Sequence, residues 1–136
     1  SVAMMIAMMR EEKFGYRGLD AYRQFADRVR EKRDRLIRAV QVTLSSGKIV
    51  WAYGASAKGN TLMNYLGLDS NSVPVVLDDN PKKWGLYTPG AHMRIADPKE
   101  LTGSGVGSLL MLAWNFKDEI ARRCRDLGYT GTFIVP

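Results

Sequence analysis

Two runs, Val73-Pro74-Val75-Val76-Leu77 and Leu109-Leu110-Met111-Leu112-Ala113-Trp114, are apolar at nearly every position, and they narrow the possible folds more than any other feature. A strand with one wet face alternates apolar and polar residues. A strand apolar on both faces must be covered on both, the condition of a parallel sheet between helix layers. The flanking segments supply those helices. Helical spacing over residues 1–12, with Ser1 as cap, predicts a short helix ending near Gly15, and positions 22, 25, 29, 36, 40 and 44 predict a long amphipathic helix stopped by Ser45-Ser46-Gly47. Beyond it the pattern predicts strands at 48–53, 73–78, 93–96, 109–114 and 132–135. Between them fall helices at 56–66 and 117–127, one helical turn at 97–101 and a turn-rich stretch at 80–90. This alternation implies an open, mostly parallel α/β sheet over 48–136 with helices on both faces, and a helical lead-in over 1–47 packed on it.

A chain of 136 residues is one domain, large enough to bury a core without staples. Cys124 is the only cysteine, so no intrachain disulfide can form, and with the lone His92 it makes no metal cluster unless carboxylates join. No apolar run reaches the roughly 20 residues that span a bilayer, and a cytoplasmic, membrane-free setting is expected. The net charge of +6 is concentrated in residues 1–47, which hold ten basic and six acidic side chains. The basic residues of 23–38 alternate with Glu31 and Asp34, a pattern of a solvated face, so nucleic acid is not an expected partner. The apolar start behind Ser1 lacks a basic leader and a cleavage site, and the chain reads as a fragment of a larger protein.

The chemistry points to Ala52-Tyr53-Gly54-Ala55-Ser56-Ala57-Lys58-Gly59-Asn60-Thr61, a buried strand, a tight turn and a helix start. Such a turn presents free backbone N–H groups and the positive end of a helix dipole to a phosphate. Gly54, Ser56 and Gly59 fall on the dinucleotide fingerprint with Ser at its middle position, and Asp78 ends the next strand 19 residues later, where an acid could bind a ribose hydroxyl. The same loop nearly matches the nucleoside-triphosphate motif, but Asn60 stands where its lysine would be. Ligands of open parallel sheets lie beyond the carboxyl ends of the strands. The candidates are therefore Tyr53, Gly54, Ser56, Lys58, Gly59 and Asn60 from the first strand and its turn, Asp78, Asp79 and Asn80 from the second, and Trp114 and Asn115 from the fourth. Asn115 can equally cap the helix behind it. Lys82, Lys83 and Trp84 can clamp a polyphosphate or simply form a solvated loop. His92 can donate to a phosphate or be structural, and Cys124 reads as an inert helix residue.

Four stretches in series, 52–62, Asp78-Asp79-Asn80-Pro81-Lys82-Lys83-Trp84-Gly85, Pro89-Gly90-Ala91-His92 and Leu112-Ala113-Trp114-Asn115-Phe116-Lys117-Asp118-Glu119-Ile120, resemble the C-terminal domain of bacterial sugar C-methyltransferases. The resemblance covers nearly the whole chain. It implies a Rossmann-like domain that helps hold a nucleotide-linked deoxy keto-sugar, with a dTDP-sugar expected. It further implies that S-adenosylmethionine, zinc and the catalytic base belong to upstream domains of the same polypeptide, and that no catalytic residue and no cofactor lie in this chain. Substrate contacts are expected from Tyr53, Gly54, Ser56, Lys58, Gly59, Asn60, Asp78, Asn80, Lys82, His92, Trp114 and Asn115. Two residues depart from the family's common pattern: Ser56 replaces Pro, and Asp79 replaces Arg. The second puts an anion near the expected phosphates, for which Lys82 or Lys83 could compensate. Two other classes fit parts of the pattern, an NAD(P)-binding half of an oxidoreductase and a non-catalytic interaction module that uses the basic helix.

Overall fold

The computed structural model describes residues 1–13 and 18–136. Among them, strands β1 (Ile49–Tyr53), β2 (Val75–Leu77), β3 (Arg94–Ala96), β4 (Val106–Met111) and β5 (Thr132–Ile134) form one sheet in the order β3-β2-β1-β4-β5. Every neighbouring pair is parallel, with Ala52 opposite Val76 and Trp51 opposite Leu109. The order reverses at β1, the switch point of a doubly wound, Rossmann-like sheet.

Helices α1 (Val2–Lys13), α2 (Leu19–Ser45), α3 (Ala57–Leu66) and α4 (Lys117–Asp126) cover it. Val50, Ala52, Val76 and Leu110 point to one face, where Leu36 and Val40 of α2 and Leu62, Met63 and Leu66 of α3 close over them. Tyr53, Leu77, Leu109 and Met111 point to the other, against Ile120 and Cys124 of α4 and against Leu101. Burial of one such side chain contributes about 1.5–3 kcal/mol. The lead-in therefore shares the core of the sheet: Val2 of α1 lies in the same cluster as Val40 and Val50. Hydroxyls also tie α2 to the strands, because Thr43 Oγ1 meets the buried Ser108 Oγ at 2.7 Å, and Ser108 Oγ meets Thr132 Oγ1 at 2.8 Å.

Ser1 Oγ accepts from the Met4 N–H at 3.2 Å and caps α1. The helix stop expected near Gly15 lies outside the described residues. At the end of α2, the Gly47 N–H reaches Leu44 O and the Lys48 N–H reaches Thr43 O, with Gly47 at φ 78°, so the last carbonyls are satisfied by a left-handed residue.

Apart from strands β1, β2, β3 and β5, which are shorter than expected by one or two residues at an end, two elements differ from the sequence reading. Strand β4 runs Val106–Met111 instead of 109–114. The Leu112 and Ala113 N–H groups both turn onto Tyr53 O, so the apolar run leaves the ladder while Leu112 stays buried. Burial, not pairing, set that hydrophobic pattern. The stretch expected to be only turns holds a further pairing: Tyr87 bridges Arg94 antiparallel, with the Gly85 N–H on Ile95 O at 2.8 Å and the Thr88 N–H on Met93 O at 2.9 Å.

The turn after β1 is packed too tightly for side chains. Gly54 has φ 105°, and a Cβ there would lie 2.7 Å from Ala113 Cβ; at Gly59 it would lie 2.9 Å from both Gly54 O and Leu112 Cβ. Gly54→Ala should cost about 2–4 kcal/mol, combining backbone strain with overpacking. Gly47→Ala meets nothing within 4 Å and should cost ~1 kcal/mol. Urea unfolding of both variants checks this, and equal midpoints would contradict the packing argument.

Candidate functional site

Parallel pairing brings the carboxyl ends of β1, β2 and β4 to one edge, and the turn after β1 is held there by its neighbours. The Gly54 N–H continues the ladder to Leu77 O at 2.8 Å. Asp78, at the end of β2, accepts from the Ala55 N–H on Oδ2 at 2.9 Å and from the Asn80 N–H on Oδ1 at 2.9 Å. Lys83 Nζ donates to Ala55 O at 2.9 Å and lies 3.9 Å from Asp78 Oδ2. Trp84 Nε1 donates to Asp78 O at 2.7 Å. Asp78 and Lys83 thus grip both polar groups of Ala55. Both Asp78 oxygens already hold a backbone N–H, although each carboxylate oxygen can accept a second donor.

Ser56 is the N-cap of α3: its Oγ accepts from the Gly59 N–H at 3.1 Å. At the middle fingerprint position, therefore, stands a side chain that satisfies the helix itself. Lys58 is exposed on the first turn and, among the described residues, is in no ion pair. Asn60 Oδ1 is buried without a hydrogen-bond partner. On the second loop, Asn80 Oδ1 caps a short turn by accepting from the Lys82 N–H at 3.1 Å, and Lys82 itself is exposed. Trp114 is half-buried against the α2–α3 face, and Asn115 is exposed. The capping role open to Asn115 is not taken: the N-cap of α4 is Phe116, without a side-chain hydrogen bond.

His92 is not brought to this edge. It is exposed at φ 56°, stacked on Tyr87 with ring centroids 4.7 Å apart. The neighbouring Ala91 O accepts from the Ser70 N–H, in the loop that enters β2, so His92 sits toward the amino ends of the strands. The signal was in the sequence, since His92 directly precedes the strand expected at 93–96 and so enters a parallel strand at its amino end.

Two residues that the sequence reading did not select, Glu119 and Arg123, join Tyr53 and Asp79 to complete the edge. Tyr53 donates its hydroxyl to Asp79, and Arg123 of α4 binds both Asp79 and, at 2.6 Å, Glu119. The cation beside Asp79 is therefore Arg123, neither Lys82 nor Lys83. The hydrogen bonds to Glu119 and Asp79 raise the Arg123 pKa further. Burial first, and then the bond to Asp79, raise the Tyr53 pKa, so the phenol keeps its proton. A cavity of about 280 Å³ opens beside this network, between Tyr53 and Gly54 on one wall and Phe116, Glu119 and Arg123 on the other. A second, of about 370 Å³, lies beyond the Tyr53–Asp79–Arg123 bridge toward Trp84 and Lys99. Arg123 was legible only as one of several basic residues on a polar helix; its pairing across 44 residues is a tertiary fact. Among the described residues, no three His, Cys, Asp or Glu side chains gather so as to hold a metal ion. No helix there is long and apolar enough to cross a membrane.

The family model for the C-methyltransferase C-terminal domain matches residues 1–136. The C-methyltransferase NovU of Streptomyces niveus is 34% identical over 140 residues, a stretch that covers all of this chain and 32% of NovU. The chain thus spans about a third of the length of the curated relative it matches. Solved structures similar to it include RSP with β-NAD+ and operator DNA and RSP with β-NADH. They are 16% and 17% identical, each with a TM-score of 0.41, covering the whole chain and 79% and 80% of those chains. A likeness at that level says nothing of this chain's ligands.

Two predictions follow from this geometry. Ser56→Ala removes the cap of α3 and should lower stability by about 1 kcal/mol, read as a shift of the thermal midpoint; an unchanged midpoint would contradict the capping bond. The second concerns alkaline pH. Burial pushes the Cys124 thiol up to about 11 from 9.0 and the Tyr129 phenol up to about 12 from 10.0, and Tyr53 shifts the same way. Each raised pKa means that the folded state holds a proton the unfolded chain releases. These groups should leave stability unchanged between about pH 7 and 8 and lower it steadily as pH rises from there through about 12, measured by urea midpoints at each pH; Cys124→Ser should remove the earliest part of the fall.

Proposed function

The chain belongs to the C-methyltransferase C-terminal domain family, and from that premise we propose that it is the nucleotide-sugar-binding part of an S-adenosylmethionine-dependent C-methyltransferase acting on a ring carbon of a nucleotide-linked deoxy keto-sugar. The observation that carries this reading is the turn after β1. The N–H groups of Gly54, Ala55, Gly59 and Asn60 are taken by Leu77 O, Asp78, Ser56 Oγ and Ser56 O, which among the described residues leaves those of Ser56, Ala57 and Lys58, at the start of α3 beside the exposed Lys58 side chain. Backbone N–H groups and a helix N-terminus of this kind favour a diphosphate.

In such chemistry a base removes the proton alpha to the ketone, and the enolate carbon attacks the methyl group of a sulfonium. In this reading the donor, the zinc and the base belong to other parts of the polypeptide, and this domain supplies binding energy and orientation. Gly54, Ser56, Gly59 and Asn60 frame the phosphates, Lys58 neutralises them, and Asp78, Asn80, Lys82, Trp114 and Asn115 surround the crevice. His92 is too far round the sheet to join them directly. Of the two competing readings, the dinucleotide one shares this turn and is separated from ours by the family match over residues 1–136, and the interaction module is disfavoured because the basic residues of α2 are interspersed with Asp27, Glu31 and Asp34. The intact enzyme is expected to work in the cytoplasm.

A charge-assisted contact is worth about 1.5–3 kcal/mol, so Lys58→Ala should weaken dTDP-sugar binding by about ten- to a hundredfold. Calorimetry on the intact enzyme, with Lys48→Ala at the far end of the sheet as control, tests this. Equal affinity in both variants and wild type would refute the site.

A further inference from the structure

Resting on that reading, we infer that the cavity of about 280 Å³ between Tyr53 and Phe116 is the nucleobase subsite, with Phe116 as its stacking surface. The cavity borders Gly54, the first residue of the phosphate turn, so a ligand whose diphosphate lies over α3 can pass one of its ends directly into it. The larger cavity near Trp84 is cut off from that turn by the Tyr53–Asp79–Arg123 bridge.

Charge excludes the phosphates themselves. Asp78, Asp79 and Glu119 line the cavity against the single guanidinium of Arg123, and that guanidinium is already held by two of these carboxylates. The keto-sugar end must remain within reach of a methyl donor that this domain does not bind, which leaves the nucleoside end for the cavity.

The lining fits a planar base. Phe116 is 62% exposed, on the short turn Trp114–Phe116 that leads into α4, and Ala113 and Ile120 supply apolar surface beside it. A base lays its π face on such a ring irrespective of its sequence-specific edge. Its single ring N–H, the thymine N3–H, would face one of the carboxylates of Glu119 and Asp79 and its two carbonyls the guanidinium of Arg123, while Tyr53, kept protonated, holds Asp79 in place. Neutral donors suit this wall, and an anion does not.

The test uses the intact enzyme, titrated by calorimetry with thymidine diphosphate and with inorganic pyrophosphate, as wild type, Phe116→Ala and Phe116→Trp. Thymidine diphosphate should bind at least tenfold more tightly than pyrophosphate. Phe116→Ala should abolish that advantage, a loss of about tenfold or ~1.4 kcal/mol, with pyrophosphate affinity unchanged, and Phe116→Trp should retain it. Saturation-transfer NMR should show the thymine methyl and H6 protons in closest contact in wild type and not in Phe116→Ala. Equal affinity of the two ligands, or thymidine diphosphate binding untouched by Phe116→Ala, would overturn the base assignment and leave the nucleotide-sugar reading standing. Absence of saturable binding of either ligand would overturn both.

Discussion

The close approach of the turn after β1 to the end of β4 is the constraint on which the rest depends. Gly54 lies against the backbone of Ala113, and Gly59 fits between Gly54 O and Leu112. No side chain can intervene, so α3 starts at the sheet edge and its first turn faces outward at the switch point between β1 and β4. The bends of Leu112 and Ala113 onto Tyr53 O serve the same contact: they end β4 early and turn the chain toward Phe116 and α4. Were the two segments to separate by a side chain, the turn after β1, the cavity and the cover of α4 would all shift.

That contact fixes position, and carboxylates fix shape. Asp78 and Asp79 are adjacent in sequence but serve opposite sides of the edge: Asp78 reaches the loop after β1, whereas Asp79 reaches Tyr53 and Arg123. Each acid is matched by a cation from a different element, Lys83 from the β2–β3 connection and Arg123 from α4. The result is an edge with two unlike halves: the exposed Lys58 stands on the first turn of α3, and Asp78, Asp79 and Glu119 line the cavity beside α4. The ion pairs are largely exposed, so their value lies in orientation more than in stability.

Much of the fold could be read directly. Continuous apolar runs predicted covered strands, helical spacing predicted α2, and Gly54, Ser56 and Gly59 predicted the strand–turn–helix, because each is a local preference of backbone or side chain that survives folding. The boundaries of β4 were misjudged, since Leu112 and Ala113 are as apolar as strand residues but turn away for the sake of Gly54. The antiparallel return of 85–88 was hidden in a stretch rich in turn residues, whereas the place of His92 at the amino end of β3 was legible from its position directly before that strand. Asp79 looked unfavourable in isolation. Its partner Arg123 lies on another element and has no local signature.

By itself, then, the sequence determined the layers, the parallel sheet and the strand–turn–helix after β1, for these follow from hydrophobic period and from backbone positions that only glycine fills. Only the tertiary structure decided which side chains share the edge. Pairings such as Ala55 with Asp78 and Lys83, or Asp79 with Tyr53 and Arg123, join residues 23 to 44 positions apart. Their charges and hydrogen-bonding groups are common surface chemistry until strand order and the start of α4 bring them within bonding distance.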